Sequence, residues 1–256
     1  MILRRLLAFL AIGCGTTGPA SAERIVFSLS ADAVAITSNY AGVQLVGFGV
    51  IERDGQSVAR PGEYDVVVTV TGPREGVTVR RKEALGPIWI NRSQGKFVNT
   101  PSALGVFSTR PLDDIASPAL RQRFRLGIQA YVSSPAFAEE LGRADDAYRA
   151  ALARLKTRDG LYVENGAAVT FVSRDVFRAG LPVPATAPPG VYQVEASLLT
   201  DGIVVARQVA SFELVKSGIE EQVSTLAREH PLLSGTIAAS LSLLFGWLAS
   251  VIFRRD

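Results

Sequence analysis

The sequence is short of the side chains that most active sites use. Its 256 residues include one cysteine, Cys14, and one histidine, His230. Nucleophilic catalysis by a Ser-His-Asp or Cys-His arrangement would therefore depend on His230 alone. A zinc site would lack its usual nitrogen and sulfur ligands. These shortages predict no catalytic residue, no metal and no cofactor, and they favour a protein that is not an enzyme.

Charge is absent from one long stretch, because no charged residue occurs from Leu232 to Phe253. An apolar run of about 20 residues has the length that a helix needs to cross the roughly 30 Å hydrocarbon core of a membrane. Arg254-Arg255 follow directly, as the positive-inside rule expects of a cytoplasmic end. We therefore predict a single C-terminal transmembrane helix over 231–253 and a cytoplasmic tail over 254–256.

The rest of the chain is close to neutral. The sequence has 27 basic and 24 acidic residues, but the arginine pairs Arg4-Arg5 and Arg254-Arg255 lie in its end segments. Without these pairs and Asp256, residues 23–231 hold equal numbers of basic and acidic side chains. A basic face of the kind that binds nucleic acid is therefore not expected.

Small residues recur at every fourth position of the predicted span, at Ser234, Ala238, Ser242, Gly246 and Ser250. Small side chains let two membrane helices approach each other closely. This stripe predicts a helix-packing face, whose partner would be another inner-membrane protein or a second copy of the chain. A plain anchor without a partner is the alternative.

The N-terminus has the parts of an export signal. Arg4-Arg5 precede the apolar run Leu6–Ile12 and the small residues Ala20-Ser21-Ala22, which predicts a signal peptide over 1–22. Lipidation of Cys14 is an alternative. Together with the C-terminal arginines, the signal predicts a single-pass protein of a bacterial inner membrane. Its N-terminal domain would be periplasmic and its C-terminus cytoplasmic.

Two regions, 23–116 and 159–216, have the short β-branched and aromatic runs that are typical of strands. Apolar and polar residues alternate from 64 to 71, which predicts an antiparallel strand buried on one face only. The apolar runs at 88–90 and 97–98 predict two further short strands. Both regions are therefore expected to be β-rich and periplasmic.

The motif Pro-Gly-x-Tyr-x-Val occurs at 61–66 and again at 189–194. It marks either equivalent strands in two sandwich units or a common way to begin a strand. Asp201-Gly202 predicts a two-residue hairpin turn. The fold class that we expect is mainly β: a periplasmic antiparallel β-sandwich, Ig-like, of one or two units.

Residues 117–158 interrupt the β pattern with helical periodicity. Ser117-Pro118 and Ser134-Pro135 each combine an N-cap serine with a proline at the first helical position. We therefore predict a helical hairpin inserted between the two β-rich regions. A capping-box spacing that begins at residue 217 predicts a juxtamembrane helix over 217–230.

Three adjacent cations, Arg80, Arg81 and Lys82, lie on a predicted strand close to Trp89. Because successive side chains of a strand point to opposite faces, the three cannot all point the same way. These four residues are the candidate site for an anion or a lipid headgroup. A plain polar strand is the alternative.

Segments spread along the chain resemble, in the same order, the alphaproteobacterial transmembrane protein family (Alph_Pro_TM). They are Asn39-Tyr40-Ala41-Gly42, Tyr64-Asp65-Val66-Val67-Val68, Gly72-Pro73, Val79-Arg80-Arg81-Lys82, Ile88-Trp89-Ile90-Asn91, Pro101-Ser102, Leu181-Pro182, Pro189-Gly190-Val191-Tyr192, Asp201-Gly202, His230-Pro231-Leu232-Leu233 and Gly246-Trp247-Leu248-Ala249. The resemblance covers nearly the whole chain after the predicted signal peptide.

The resemblance implies a signal peptide, an exported domain and one C-terminal span, and it carries over no catalytic residue. It also implies a genomic setting beside polytopic exporters of the sulfite-exporter type. We therefore expect an interaction or accessory subunit for a membrane partner such as a transporter. The alternative is a tethered periplasmic module that binds a small molecule or an envelope ligand.

Overall fold

The computed structural model describes residues 23–36, 41–52, 63–134, 146–216, 227–228 and 231–252. The strands are β1 (Arg24–Leu29), β2 (Ala33–Ile36), β3 (Val43–Glu52), β4 (Tyr64–Thr71), β5 (Arg74–Leu85), β6 (Ile88–Pro101), β7 (Leu104–Ser108), β8 (Tyr162–Asn165), β9 (Val169–Phe171), β10 (Val176–Val183), β11 (Gly190–Thr200) and β12 (Ile203–Lys216). The helices are α1 (Leu112–Ile115), α2 (Pro118–Phe124), α3 (Ile128–Val132), α4 (Asp146–Arg158) and α5 (Pro231–Ile252). The predicted signal peptide, the tail and most of the predicted juxtamembrane helix lie outside the described residues.

Two sheets pack face to face and form a sandwich. Sheet A has the strand order β1-β3-β10-β9, and sheet B has the order β2-β12-β11-β4-β7-β8. Their facing sides share one core, in which the rings of Phe27, Phe177, Tyr192 and Phe212 are buried. The prediction of a mainly β chain is therefore confirmed.

The two strands that carry the repeated motif lie side by side in sheet B. β4 pairs antiparallel with β11, with Tyr64 opposite Thr200. The motif thus marks neighbouring strands of one sandwich rather than two separate units. Asp201 and Gly202, with φ of 49° and 74°, join β11 to β12. Positive φ at both positions is what a type I′ hairpin turn requires, so the predicted turn is confirmed.

Sheet B is mixed, although the sequence predicted an antiparallel sandwich. β2 pairs parallel with β12, and β7 pairs parallel with β8. The helical region connects β7 to β8, and a long crossover of this kind is what a parallel pair needs. The antiparallel prediction is therefore corrected at the two edges of sheet B.

A second core lies on the other face of sheet B. Val67 and Leu104 of the sheet pack there with Tyr131 of α3 and Leu152 of α4. β4 is consequently buried on both faces, with Val66-Val67-Val68 all at 0% exposure. Alternation predicted one buried face, whereas a continuous apolar run of this kind is typical of a strand that is covered on both sides.

The helical region begins as predicted and then departs from the prediction. Ser117 caps α2 by accepting a hydrogen bond from the Leu120 amide, and Pro118 is the first helical residue. The two predicted helix starts, at Ser117-Pro118 and Ser134-Pro135, indicated one helix between them. Instead, Arg125 and Gly127 adopt φ of 56° and 107° between α2 and α3. This break turns the chain so that α3 buries Tyr131 against the second core.

The second half of the predicted helical hairpin is described only in part. Ser134 lies at the edge of the described residues, and Pro135 lies outside them. α4 is described from Asp146 to Arg158 and is followed by Gly160 at φ 72°. A glycine in the left-handed region commonly follows the end of a helix.

The last described element is α5. Its described side chains are exposed, apart from the partly exposed Ser234. Among the helices within the described ranges, none combines the length and apolarity of a membrane span.

Candidate functional site

The described residues contain no group of three or more His, Cys, Asp or Glu side chains that could hold a metal ion. Cys14 and His230 lie outside them. Three other features are candidates for function. They are the β5–β6 hairpin with the predicted cation cluster, the stripe of small residues on α5, and a cleft over sheet B.

The β5–β6 hairpin, residues 74–101, forms an arm. The short strands predicted within 88–98 are parts of one strand, β6, which pairs with β5 along its length. The turn consists of Gly86 and Pro87, because Leu85 pairs with Ile88. Gly86 has φ of 61°, as the first position of a type II′ turn requires. Proline then has a φ close to the value that the second position needs.

The base of the arm is fixed to the body. Val79 and Phe97 are buried in the second core. Lys156 of α4 donates to the Glu75 carboxylate and to the Ser102 carbonyl. The Lys156 side chain is only 11% exposed, and a charge so far from water requires partners of this kind. These contacts hold α4 against the first residues of the arm.

The distal half of the arm projects from the body. None of residues 80–94 is buried. Large apolar side chains lie at its end, with exposed fractions of 54% for Leu85, 56% for Ile88 and 71% for Trp89. At about 3.3 Å per residue, β5 continues roughly 17 Å from Arg80 to Leu85. The arm therefore carries exposed apolar groups well away from either core.

Strand alternation divides the predicted ligand residues between the two faces of the arm. Arg80 and Lys82 lie on one face. Trp89 lies on that same face, because it pairs with Ala84 across the hairpin. Arg81 lies on the opposite face. The structure thus places Arg80, Lys82 and Trp89 on one face of the arm and Arg81 on the other.

Arg81 belongs to an ion cluster around Glu83. Its Nε and Nη2 donate to Glu83 Oε1 at 3.2 and 2.8 Å, and Ser93 Oγ donates to the same oxygen at 3.2 Å. Arg92 Nε lies 3.8 Å from Glu83 Oε2. The hydrogen bonds from Arg81 hold the pKa of Glu83 below its ordinary value, with smaller contributions from Ser93 and Arg92. The carboxylate is thus already engaged by its neighbours.

The predicted helix-packing residues lie four apart along one continuous helix, α5. Ser242 Oγ donates to the Ala238 carbonyl at 2.9 Å, and Ser234 Oγ donates to the Pro231 carbonyl at 3.2 Å. These hydroxyls therefore have partners within their own helix. A Cβ added at Gly246 would meet no atom within 4 Å, so this position is open to a neighbouring helix.

A cleft of about 110 Å³ lies between sheet B and the helices α2 and α3. Arg74 and Arg125 line it, and their guanidinium carbons lie 5.9 and 5.8 Å from the centre of the Tyr131 ring. The Glu195 carboxylate in the lining is paired with Arg207 at 3.1 Å. The lining also includes the polar side chains Thr69, Thr71 and Gln193. Two cations beside hydroxyl and amide groups suit a small anion.

Sequence reasoning did not find the cleft. Its lining comes from six separate elements, and the packing of α2 and α3 on sheet B brings these together. The positive φ of Arg125, which turns the chain towards Tyr131, has no local signal beyond Gly127 two residues later. A site of this kind becomes visible only in the folded chain.

The sandwich, the arm and α5 fall within a single family match. The family model described as "Putative transmembrane protein (Alph_Pro_TM)" matches residues 24–255. The chain belongs to this family. The match confirms the resemblance found in the sequence. A search of curated proteins found no match to this Alph_Pro_TM chain.

Proposed function

We propose that this Alph_Pro_TM protein is a non-enzymatic, membrane-anchored interaction protein. Its helix α5 docks on the helices of another inner-membrane protein, such as a transporter, and its β body lies on the periplasmic side. The observation that carries the proposal is the uncovered apolar surface of α5. The protein would then act as an accessory subunit.

The apolar side chains of α5 that the structure describes are exposed. Exposed fractions are 86% for Leu232, 76% for Leu243 and 66% for Trp247. Exposed apolar side chains gathered on one helix mark a surface that contacts a membrane or another protein. No described helix qualifies as a span, so the membrane part of the proposal rests on the uncharged run Leu232–Phe253 and on the family.

The proposed orientation follows from the two ends of the sequence. An export signal over 1–22 would deliver the body across the inner membrane, and Arg254-Arg255 would stay in the cytoplasm. The arm and the cleft would then face the periplasm, where their arginine and lysine side chains are available to ligands or partners. This arrangement supports a binding role for the body.

Replacing both Ser242 and Gly246 by leucine is expected to abolish co-purification of a polytopic membrane protein. Close approach of two membrane helices depends on small side chains, and two leucines would hold the partner away. The measurement is mass spectrometry of proteins recovered with the full chain from native membranes in a mild detergent. A Cβ at Gly246 meets nothing in the chain itself, so the loss would report on the partner.

Gly235→Leu is the matched control. A Cβ at Gly235 also meets no atom within 4 Å. The stripe drifts by only about 10° per residue, so at its own level of the helix Gly235 lies about 90° away from the stripe. Its partner recovery should equal that of the wild type. Unchanged recovery with the double variant would contradict docking through the stripe. Recovery of a second copy alone would replace the transporter partner by self-association.

The cleft favours a second candidate function, a tethered binding module for a small anionic ligand. Arg74 and Arg125 converge on Tyr131, whereas Glu195 is engaged by Arg207. Arg125 also holds the left-handed conformation at φ 56°. Such a conformation is costly for a residue with a side chain and is often found at functional sites.

If the cleft is a site, phosphate or citrate should raise the melting temperature of the full-length protein in detergent at constant ionic strength. Binding to the folded state alone stabilises that state by mass action. Arg125→Gln should remove the rise. Arg123→Gln should keep it, because Arg123 lies over the Phe124 ring and does not line the cleft. A melting temperature independent of both anions would contradict this function.

A further inference from the structure

We propose that the apex of the arm, residues 84–89, inserts into the headgroup layer of an anionic bilayer. The inference rests on the proposed membrane anchor, because an anchored body stays close to a bilayer surface. It adds a second, peripheral contact with the same membrane. Two contacts at different points of the chain would fix the orientation of the sandwich, which an anchor alone would leave free.

The apex has the composition of a membrane-interface segment. Leu85, Pro87, Ile88 and Trp89 meet at a two-residue turn, and all four are exposed. Exposed apolar groups gathered in one place mark an interaction site. Tryptophan is enriched at the level of lipid headgroups, where its ring is apolar and its N–H stays wet. The face of the arm that carries Trp89 also carries Arg80 and Lys82.

Cations surround the arm behind this apex. Residues 80–94 hold four cationic side chains, Arg80, Arg81, Lys82 and Arg92, and one carboxylate, Glu83. Glu83 is already paired with Arg81, so the net field of the distal arm is positive. Anionic headgroups attract cations placed in this way.

The spacing between the apex and the cations fits the thickness of a bilayer interface. Lys82 lies three residues behind Leu85, about 10 Å along the strand. Apolar faces of interfacial segments sit about 5–10 Å into the boundary between headgroups and acyl chains. With the apex at that depth, the long side chains of Arg80 and Lys82 can extend to the lipid phosphates. No ion pair to Arg80 or Lys82 is found within the described part of the chain.

The arm leaves the sandwich at the end from which the chain continues towards α5. Gly190 pairs with Leu214, close to the end of β12 at Lys216. A Cβ at Gly190 would lie 3.1 Å from Cγ of Pro73, the residue directly before the arm. The base of the arm and the exit of the tether are therefore at the same end of the body, which is the end nearest an anchored membrane.

Lipid is a better occupant than a protein pocket for this apex. A two-residue turn is convex and narrow, so a protein partner would need a pocket shaped to receive it. A bilayer needs no such shape. It does require apolar groups at the front and cations behind them, on both strands, which is the order along the arm. Tryptophan fluorescence distinguishes burial of the apex in lipid from burial against protein.

The sequence offers a direct test, because its two tryptophans are Trp89 in the arm and Trp247 in α5. The full-length Trp247→Phe variant reports Trp89 alone, and the Trp89→Phe variant reports Trp247 alone. Each is reconstituted into vesicles of phosphatidylcholine, with or without phosphatidylglycerol, in which bromine is attached at a shallow or a deep acyl position. Trp89 emission should shift to shorter wavelength in phosphatidylglycerol vesicles. In these vesicles, bromine at the shallow position should quench Trp89 more than bromine at the deep position. In vesicles of phosphatidylcholine alone, most of this quenching should be lost.

The two tryptophans separate failure of this inference from failure of the anchor. Quenching of Trp247 without quenching of Trp89 would overturn the inference and leave the anchor standing. Quenching of neither would overturn both. A Trp89 emission at short wavelength that lipid bromine does not quench would indicate burial against protein, including a second copy, and would also overturn the inference.

Variants of exposed residues provide the matched controls. In the Trp247→Phe background, Leu85→Ser with Ile88→Ser should abolish the quenching of Trp89, because the apex loses its apolar groups. Val98→Ser removes a side chain that is 50% exposed at the base of the same arm, and quenching should not change. Arg80→Gln with Lys82→Gln should reduce quenching only in phosphatidylglycerol vesicles. If Leu85→Ser with Ile88→Ser quenched like the Trp247→Phe protein, apolar insertion of the apex would be contradicted. If Arg80→Gln with Lys82→Gln did so, attraction of these cations to anionic lipid would be contradicted.

Discussion

Valine at position 49 is expected to lower the free energy of unfolding by about 3 kcal/mol or more, the upper part of the range for overpacked cores. Gly49 lies between Phe27 on β1 and Phe177 on β10. The Phe177 ring covers Gly49 and the Phe27 ring covers Gly47, and the two rings stack with centroids 6.2 Å apart. A Cβ at position 49 would lie 2.1 Å from Cζ of Phe177. Phe177 is 0% exposed, so its ring cannot move aside into solvent.

Urea unfolding of the full chain in detergent, followed by circular dichroism, measures this effect. Gly76→Val is the matched control, because a Cβ there meets only the Phe97 carbonyl oxygen at 3.9 Å. Valine also suits a strand, so the control should unfold at or slightly above the wild-type midpoint. Phe177→Leu combined with Gly49→Ala should cost less than the sum of the single changes. A wild-type midpoint for Gly49→Val would contradict the packing of the Phe177 ring on Gly49.

The same glycines show how far the sequence predicts the fold. Gly47 and Gly49 lie in β3, within the region 23–116 that the sequence predicts to be β-rich. The sequence does not say what fills the space above them. Phe27 and Phe177 lie far apart in the chain and cover Gly47 and Gly49 only because β1 and β10 are both neighbours of β3. The local element was predictable, whereas its packing was not.

Burial of β4 likewise shows that the strand was predictable from the sequence and its packing was not. Alternation over 64–71 correctly predicted a strand with one face in the core. Val67 on the other face is buried because α3, α4 and the arm cover sheet B, and no local pattern places those elements there. The parallel edge pairs β2–β12 and β7–β8 likewise depend on where distant segments return to the sheet.

In the arm, one irregularity decides which residues share a face. Alternation along β5 predicts that Arg80 and Lys82 lie together and that Arg81 lies opposite. The position of Trp89 depends on a bulge, because the register passes from Arg81 opposite Ser93 to Lys82 opposite Asn91. A shift of one residue moves every later side chain to the other face. Without the bulge, Trp89 would lie on the face of Arg81, so its neighbours could not be read from the sequence.

Tyr192→Ala is expected to cost about 3–5 kcal/mol, the range for truncating a large buried aromatic side chain. The side chain is 2% exposed, and its ring stacks on Phe212 with centroids 5.0 Å apart. Its hydroxyl donates to the Pro188 carbonyl at 2.7 Å. A tyrosine bonded in this way to backbone a few residues upstream resembles the tyrosine corner of β-sandwiches. The midpoint of urea unfolding of the full chain is the measurement.

Two further variants distinguish how much the ring, the hydroxyl and the motif each contribute to the free energy of unfolding. Tyr192→Phe keeps the ring and loses the bond to Pro188, so it should cost about 1 kcal/mol. Tyr64→Ala changes the same position of the other Pro-Gly-x-Tyr-x-Val motif, but Tyr64 is half-buried and its hydroxyl donates to Glu23 at 3.1 Å. Its cost should therefore be clearly smaller than that of Tyr192→Ala. Equal costs would contradict this ranking. They would mean that the contribution of each tyrosine is set by the motif and not by burial and the contact with Phe212.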